Sequence, residues 1–138
     1  MQIEGKYLSE MISHAREDAP REACGILAGT GHRVLKMYRA RNAQRSPASY
    51  SLDPEEQYRI FRDIEDLGLE LVGIYHSHPS SPATPSDTDI EQAYYPEVSY
   101  VLISLADLMS HRSGLSGLQR RESLRKTCLS FDPDSAYG

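Results

Sequence analysis

Leu69-Glu70-Leu71-Val72-Gly73-Ile74-Tyr75-His76-Ser77-His78-Pro79 is the stretch on which the fold turns. Several apolar residues follow one another in Leu69 to Tyr75, the pattern of a central strand buried on both faces rather than one that alternates between core and water. The run delivers the chain straight into His76. In extended backbone, side chains at i and i+2 leave the same face about 6.6 Å apart along the strand, so His76 and His78 point together while Ser77 points away. Pro79 has no N–H for the ladder and ends the strand.

Working upstream, Asp53-Pro54-Glu55-Glu56 supplies an N-cap, a proline at N1 and a carboxylate at N3, a strong helix start. Gln57 to Leu67 follows with Ile60, Phe61, Ile64 and Leu67 on one face, and Gly68 stops it. Ala23 to Gly29 and Arg33 to Arg41 read as two strands, followed by the polar loop Asn42 to Ser49. A first helix is expected over Lys6 to Ala19, with Leu8, Met11, Ile12 and Ala15 on its apolar stripe and Pro20 as its stop. Downstream, a proline-rich stretch from Pro79 to Pro85 leads to a short helix ending before Pro96, and Val98 to Leu105 reads as the last clear strand. This alternation implies an α/β (α+β) domain, a mixed sheet flanked by helices.

The chain has 138 residues, enough for one domain and too few for a two-domain enzyme. Hydrophobic residues make up 39% and charged residues 25%, a globular balance. No stretch approaches the roughly 18 apolar residues of a membrane helix, and Met1 to Gly5 lacks the basic start and apolar run of a signal peptide, so a cytoplasmic location is expected. The net charge is −5, and residues 1–106 carry −6 of it against +1 for residues 107–138. An acidic body argues against nucleic acid as a partner, which needs a basic face. Cys24 and Cys128 are too few for a disulfide scaffold and read as reduced thiols.

The His76/His78 pair carries the chemistry. Two imidazoles on one face can hold one ion, and Asp89, eleven residues after His78, is far enough along for a loop to return a carboxylate as third ligand. Three protein ligands and an open fourth position define a catalytic zinc. Each piece also has a plainer reading. Ser86-x-x-Asp89 matches a capping box, and Glu22 after Pro20-Arg21 reads as a solvated glutamate. Cys24 as a peptidase nucleophile is the rival chemistry, but it sits in an apolar run that suits a small buried thiol. His14, His32 and His111 read as surface residues, and Asn42 as a turn residue.

His76-Ser77-His78-Pro79, seven residues from Pro79 to Pro85, then Ser86-x-x-Asp89, with Glu22 upstream in Arg-Glu-Ala-Cys-Gly-Ile-Leu-Ala-Gly, resembles the JAMM or MPN-plus metalloprotease family. The resemblance covers about Ile3 to Leu105 and implies a cytidine-deaminase-like MPN fold. It implies one zinc per chain held by His76, His78 and Asp89, with Glu22 as acid/base and Ser86 holding the tetrahedral intermediate. The short loop between the two halves of the motif is similar to the stand-alone bacterial and archaeal branch. The implied substrate is the C-terminal Gly-Gly of a small ubiquitin-like or sulfur-carrier protein. Relatives without the metal ligands serve structural roles, and the alternative function is a non-catalytic MPN-type binding or scaffold module, its activity impaired by the atypical C-terminus.

The resemblance divides the chain into a catalytic domain, 1–106, and a divergent tail, 107–138. The tail is rich in Ser and Arg without a clean period of two, and reads as disordered or partly helical, with Glu122 to Leu129 as the helical candidate. A missing terminal strand would leave the sheet edge open, a route to a homodimer.

Overall fold

The computed structural model describes residues 1–44, 50–81, 86, 87, 89 and 98–106, together with the backbone of 128–131. Helix α1, Gly5–Asp18, buries Met11, Ile12, His14 and Ala15, and ends ahead of Pro20. Strands β1, Cys24–Thr30, and β2, Arg33–Ala40, form an antiparallel hairpin. Its turn places Gly31 at φ 60°, a left-handed conformation that glycine adopts without a Cβ penalty. Helix α2, Pro54–Asp66, starts as its sequence dictates: the Asp53 carboxylate accepts from the Glu55 amide at 3.1 Å and Pro54 opens the first turn. The apolar run becomes β3, Glu70–His78, which stays in the sheet through both histidines. Strands β4, Ser99–Ser104, and β5, Cys128–Phe131, complete the sheet.

The order β2-β1-β3-β4-β5 puts β3 at the centre. It pairs antiparallel with β1 and parallel with β4, so the sheet is mixed. Parallel neighbours cannot be joined by a tight turn. The chain must therefore leave the carboxyl end of β3 and cross over before re-entering at Ser99, and Ser86 and Asp89 lie on this crossover.

Among the described residues, each face of the sheet carries one helix. Met11, Ile12 and Ala15 of α1 pack on Leu27, Val34, Val72, Tyr75, Val101 and Ile103. Ile60 and Ile64 of α2 pack on Cys24, Ile26, Ala28, Ile74 and Tyr100. Among the described residues no helix is long and apolar enough to cross a membrane.

Two expectations change. Cys128 and Leu129, expected within a helical or disordered tail, lie in β5, where they pair with Ile103 and Leu102 of β4. The edge of β4 that was to stay open is thus paired over four residues. The rest of the tail, His111 included, lies outside the described residues, as does most of the short helix before Pro96, of which Asp87 and Asp89 are seen to be helical. His14 is buried rather than on the surface: its Nδ1 lies 2.7 Å from the Tyr75 hydroxyl and its Nε2 3.2 Å from Asp18. His32 is exposed, as expected.

Candidate metal centre

The site forms at the carboxyl end of β3. His76 shares a face with Ile74, the face that α2 covers, and His78 follows on that face two residues later. Ser77 points the other way, and its Oγ accepts from the Ala23 amide at 2.7 Å while its own amide donates to the Ala23 carbonyl at 2.9 Å. This stitch extends the β1–β3 pairing past Cys24↔His76. Glu22, one residue further, is therefore carried to the level of His78. It is 2% exposed, not solvated.

Asp89 arrives from the crossover and satisfies both of its sequence readings. The Ser86 Oγ accepts from the Asp89 amide at 3.0 Å and the Asp89 Oδ2 accepts from the Ser86 amide at 2.9 Å, a capping box with aspartate in place of the usual glutamate. The same carboxylate faces both histidines, with Oδ2 2.9 Å from His78 Nε2 and Oδ1 3.0 Å from His76 Nε2. Ser86 itself is exposed beside this group. The potential ligand atoms of Glu22, His76, His78 and Asp89 all lie within 4.8 Å of one another, and all four residues are buried.

Nitrogen and carboxylate donors converging at this scale suit zinc. Protein contacts leave the group incomplete. Among the described residues, Glu22 Oε1 and both ring nitrogens of His76 are buried without a hydrogen-bond partner, and the close approach of His76 Nε2 to Asp89 lacks hydrogen-bond alignment. Buried polar atoms are rarely left so, because each costs about 1–3 kcal/mol. A cation at the point of convergence would take His76 Nε2 as a ligand and lie close to the Glu22 carboxyl.

Charge states agree with that use. Burial pushes the His76 imidazole below its ordinary value against the opposing pull of Asp89, which favours the neutral form that ligates metals. Burial would raise the Asp89 carboxyl, but its contacts with His76 and His78 outweigh that and hold it well below the usual carboxylate range. Burial raises Glu22 from 4.5 to about 7, with His78 lowering and Asp89 raising it. A carboxyl that titrates near neutrality can both take and return a proton.

The rival nucleophile is not supported. Cys24 is fully buried, its thiol is pushed up to about 12 chiefly by burial, and its Sγ lies 3.9 Å from the Ala40 carbonyl. Asn42 does more than make a turn. Its Nδ2 donates to the Glu22 carbonyl at 2.9 Å, and its Oδ1 accepts from the amides of Gln44 at 2.9 Å and Ser51 at 3.0 Å. Tyr50 was not singled out from the sequence. Its ring stacks on His76 with centroids 4.4 Å apart and planes 22° from parallel, and an aromatic three residues before an N-cap carries no local signal of such a contact.

Comparison with known proteins places these residues in context. The family described as prokaryotic homologs of the JAB domain matches residues 5–114. The chain is 42% identical over 111 residues to the CysO-cysteine peptidase of Mycobacterium tuberculosis, covering 79% of this chain and 76% of that protein. It is 43% identical over 101 residues to the desampylase of Haloferax volcanii, covering 68% and 73%. Among solved structures, protein DSY2949 of Desulfitobacterium hafniense superposes with a TM-score of 0.70 at 39% identity, covering 76% of this chain and 75% of that one. The JAB1/MPN domain protein AF2198 of Archaeoglobus fulgidus, at 14% identity and a TM-score of 0.59, covering 97% and 91%, shares the fold.

Proposed function

The chain belongs to the family of prokaryotic JAB-domain homologues, and from that membership we propose that it is a zinc-dependent peptidase acting at the C-terminal Gly-Gly of a small ubiquitin-like or sulfur-carrier protein. The observation that carries the proposal is the buried convergence of Glu22, His76, His78 and Asp89 with Glu22 Oε1 and His76 Nε2 unpartnered. Two similar proteins are named CysO-cysteine peptidase and desampylase, which supports the substrate class.

In this reading His76, His78 and Asp89 hold the metal within the catalytic domain 1–106. When bound, zinc supplies a Lewis acid and lowers the pKa of a coordinated water to about 7. Glu22 accepts the proton of the attacking water at its unpartnered carboxylate oxygen and returns it to the departing amine. Its raised pKa suits both steps. Ser86 orients the substrate carbonyl. Its oxygen already accepts from the Asp89 amide, so its own proton is available to the carbonyl oxygen as negative charge develops there. Asp89 is fixed for ligation by the Ser86 amide. A substrate ending in Gly-Gly meets the site as an extended tail, since residues without a Cβ permit the closest backbone approach.

The presence of all four residues at one buried point argues against the scaffold alternative, in which the atypical C-terminus impairs activity. The test is hydrolysis of a Gly-Gly-linked conjugate by zinc-loaded protein. Glu22→Gln should keep zinc and lose about 10²–10⁴-fold in rate. A zinc-loaded wild type that cleaves no such conjugate would support the scaffold reading instead.

A further inference from the structure

We infer that Tyr50 is a positioning residue for the metal ligand His76, fixing the plane of its imidazole by stacking where a hydrogen bond would ordinarily do so. The inference rests on the reading of His76 as a ligand.

A ligating histidine ordinarily donates its second ring N–H to a carboxylate, carbonyl or water, and that outer contact sets both tautomer and ring orientation. Among the described residues His76 has no such partner at Nδ1: the ring is fully buried and that nitrogen meets no acceptor. Within them, the contact of Nε2 with Asp89 is the one polar restraint on the ring about its Cβ–Cγ bond, although the ligand geometry depends on where Nε2 points. What lies against the ring is Tyr50, 8% exposed, at a centroid distance of 4.4 Å and an interplanar angle of 22°. Rotating His76 out of its plane would drive its edge into the Tyr50 face. The ring also meets His78 edge-on at 5.2 Å and 60°, a contact to a second ligand that is itself to be positioned.

The stack is held from behind. Asn42 Oδ1 accepts from the amide of Ser51, the residue after Tyr50, and Ala43 donates to the Ser51 carbonyl at 2.7 Å. Through its Nδ2 the same Asn42 grips the Glu22 carbonyl. One side chain thus fixes the backbone of the acid/base and the backbone next to the aromatic that orients His76. The ring face is what the role requires.

The experiment measures zinc affinity by competition with a chromophoric chelator, on the full chain stripped of metal and retitrated, alongside its far-ultraviolet circular dichroism. Tyr50→Leu should bind zinc about 10–100-fold more weakly than wild type, the range typical of a lost outer contact to a ligating histidine. Tyr50→Phe, which keeps the ring, should bind as wild type does. Ile60→Ala removes volume from the same core as Tyr50 but no aromatic ring, and should leave zinc affinity unchanged. Should Tyr50→Leu not fold, Tyr50→Met fills the same space without a ring and takes its place. Ring-less variants that bind as wild type does, a Tyr50→Phe as weak as them, or an equal loss in Ile60→Ala would each overturn the inference. A wild type that takes up no zinc would overturn the ligand reading and the inference with it.

Discussion

Replacing Glu22 by glutamine should stabilise the metal-stripped protein, and by more the higher the pH. The carboxyl is 2% exposed, its Oε1 has no partner, and burial raises it from 4.5 to about 7. A carboxyl whose folded value lies above its unfolded one contributes stability that is fully present below pH 4.5 and is lost as pH rises through about 7. Between pH 5 and pH 8 the wild type should therefore lose about 2–3 kcal/mol that Glu22→Gln, which does not titrate, retains. For a chain of this length that corresponds to a relative shift in Tm of roughly 5–10 °C. Urea denaturation of both proteins in chelator at the two pH values reads the difference. Excess zinc should shrink the gap, since a nearby cation favours the carboxylate. A gap that stays constant between pH 5 and pH 8 in chelator would refute the burial account of Glu22.

Gly25→Ala should destabilise by about 3 kcal/mol or more, because a Cβ there would lie 2.2 Å from Tyr75 Cε1 and 2.4 Å from the Tyr38 carbonyl oxygen; thermal melting within a degree or two of wild type would contradict it. Tyr75 cannot yield easily, as its hydroxyl is held at 2.7 Å by His14. Ser77→Ala leaves the buried Ala23 amide without its 2.7 Å partner, and should cost about 1–3 kcal/mol in denaturant titrations and speed amide exchange at Ala23. Asp53→Ala should cost about 1 kcal/mol through loss of the α2 cap, measured as a fall in urea midpoint; no change would mean that the capping contact at 3.1 Å carries no stability.

Local signals account for much of what the sequence made readable. The largely apolar run marked β3 because a strand covered on both faces has little water-facing side to record, and Asp53-Pro54 marked the start of α2 because capping is a matter of four neighbouring residues. Ser86-x-x-Asp89 was legible twice over: the spacing that closes a capping box also leaves the carboxylate facing the two histidines. The rest depends on contacts between distant parts of the chain. His14 lies beside the apolar stripe of α1, and its burial is decided by Tyr75, 61 residues away. Glu22 looks solvated next to Pro20-Arg21, and becomes buried only when Ser77 draws Ala23 onto β3. Strand β5 is four residues without clear alternation, defined by the edge of β4 that it pairs with.

The account stands most directly on metal content, measured as zinc per chain after reconstitution and desalting. About one zinc should remain on the wild type and on Glu22→Gln, and His78→Ala and Asp89→Ala should each retain little, with the metal-induced rise in Tm lost in parallel. A wild type that keeps no zinc, or an Asp89→Ala that keeps as much as the wild type, would contradict the assignment of this centre.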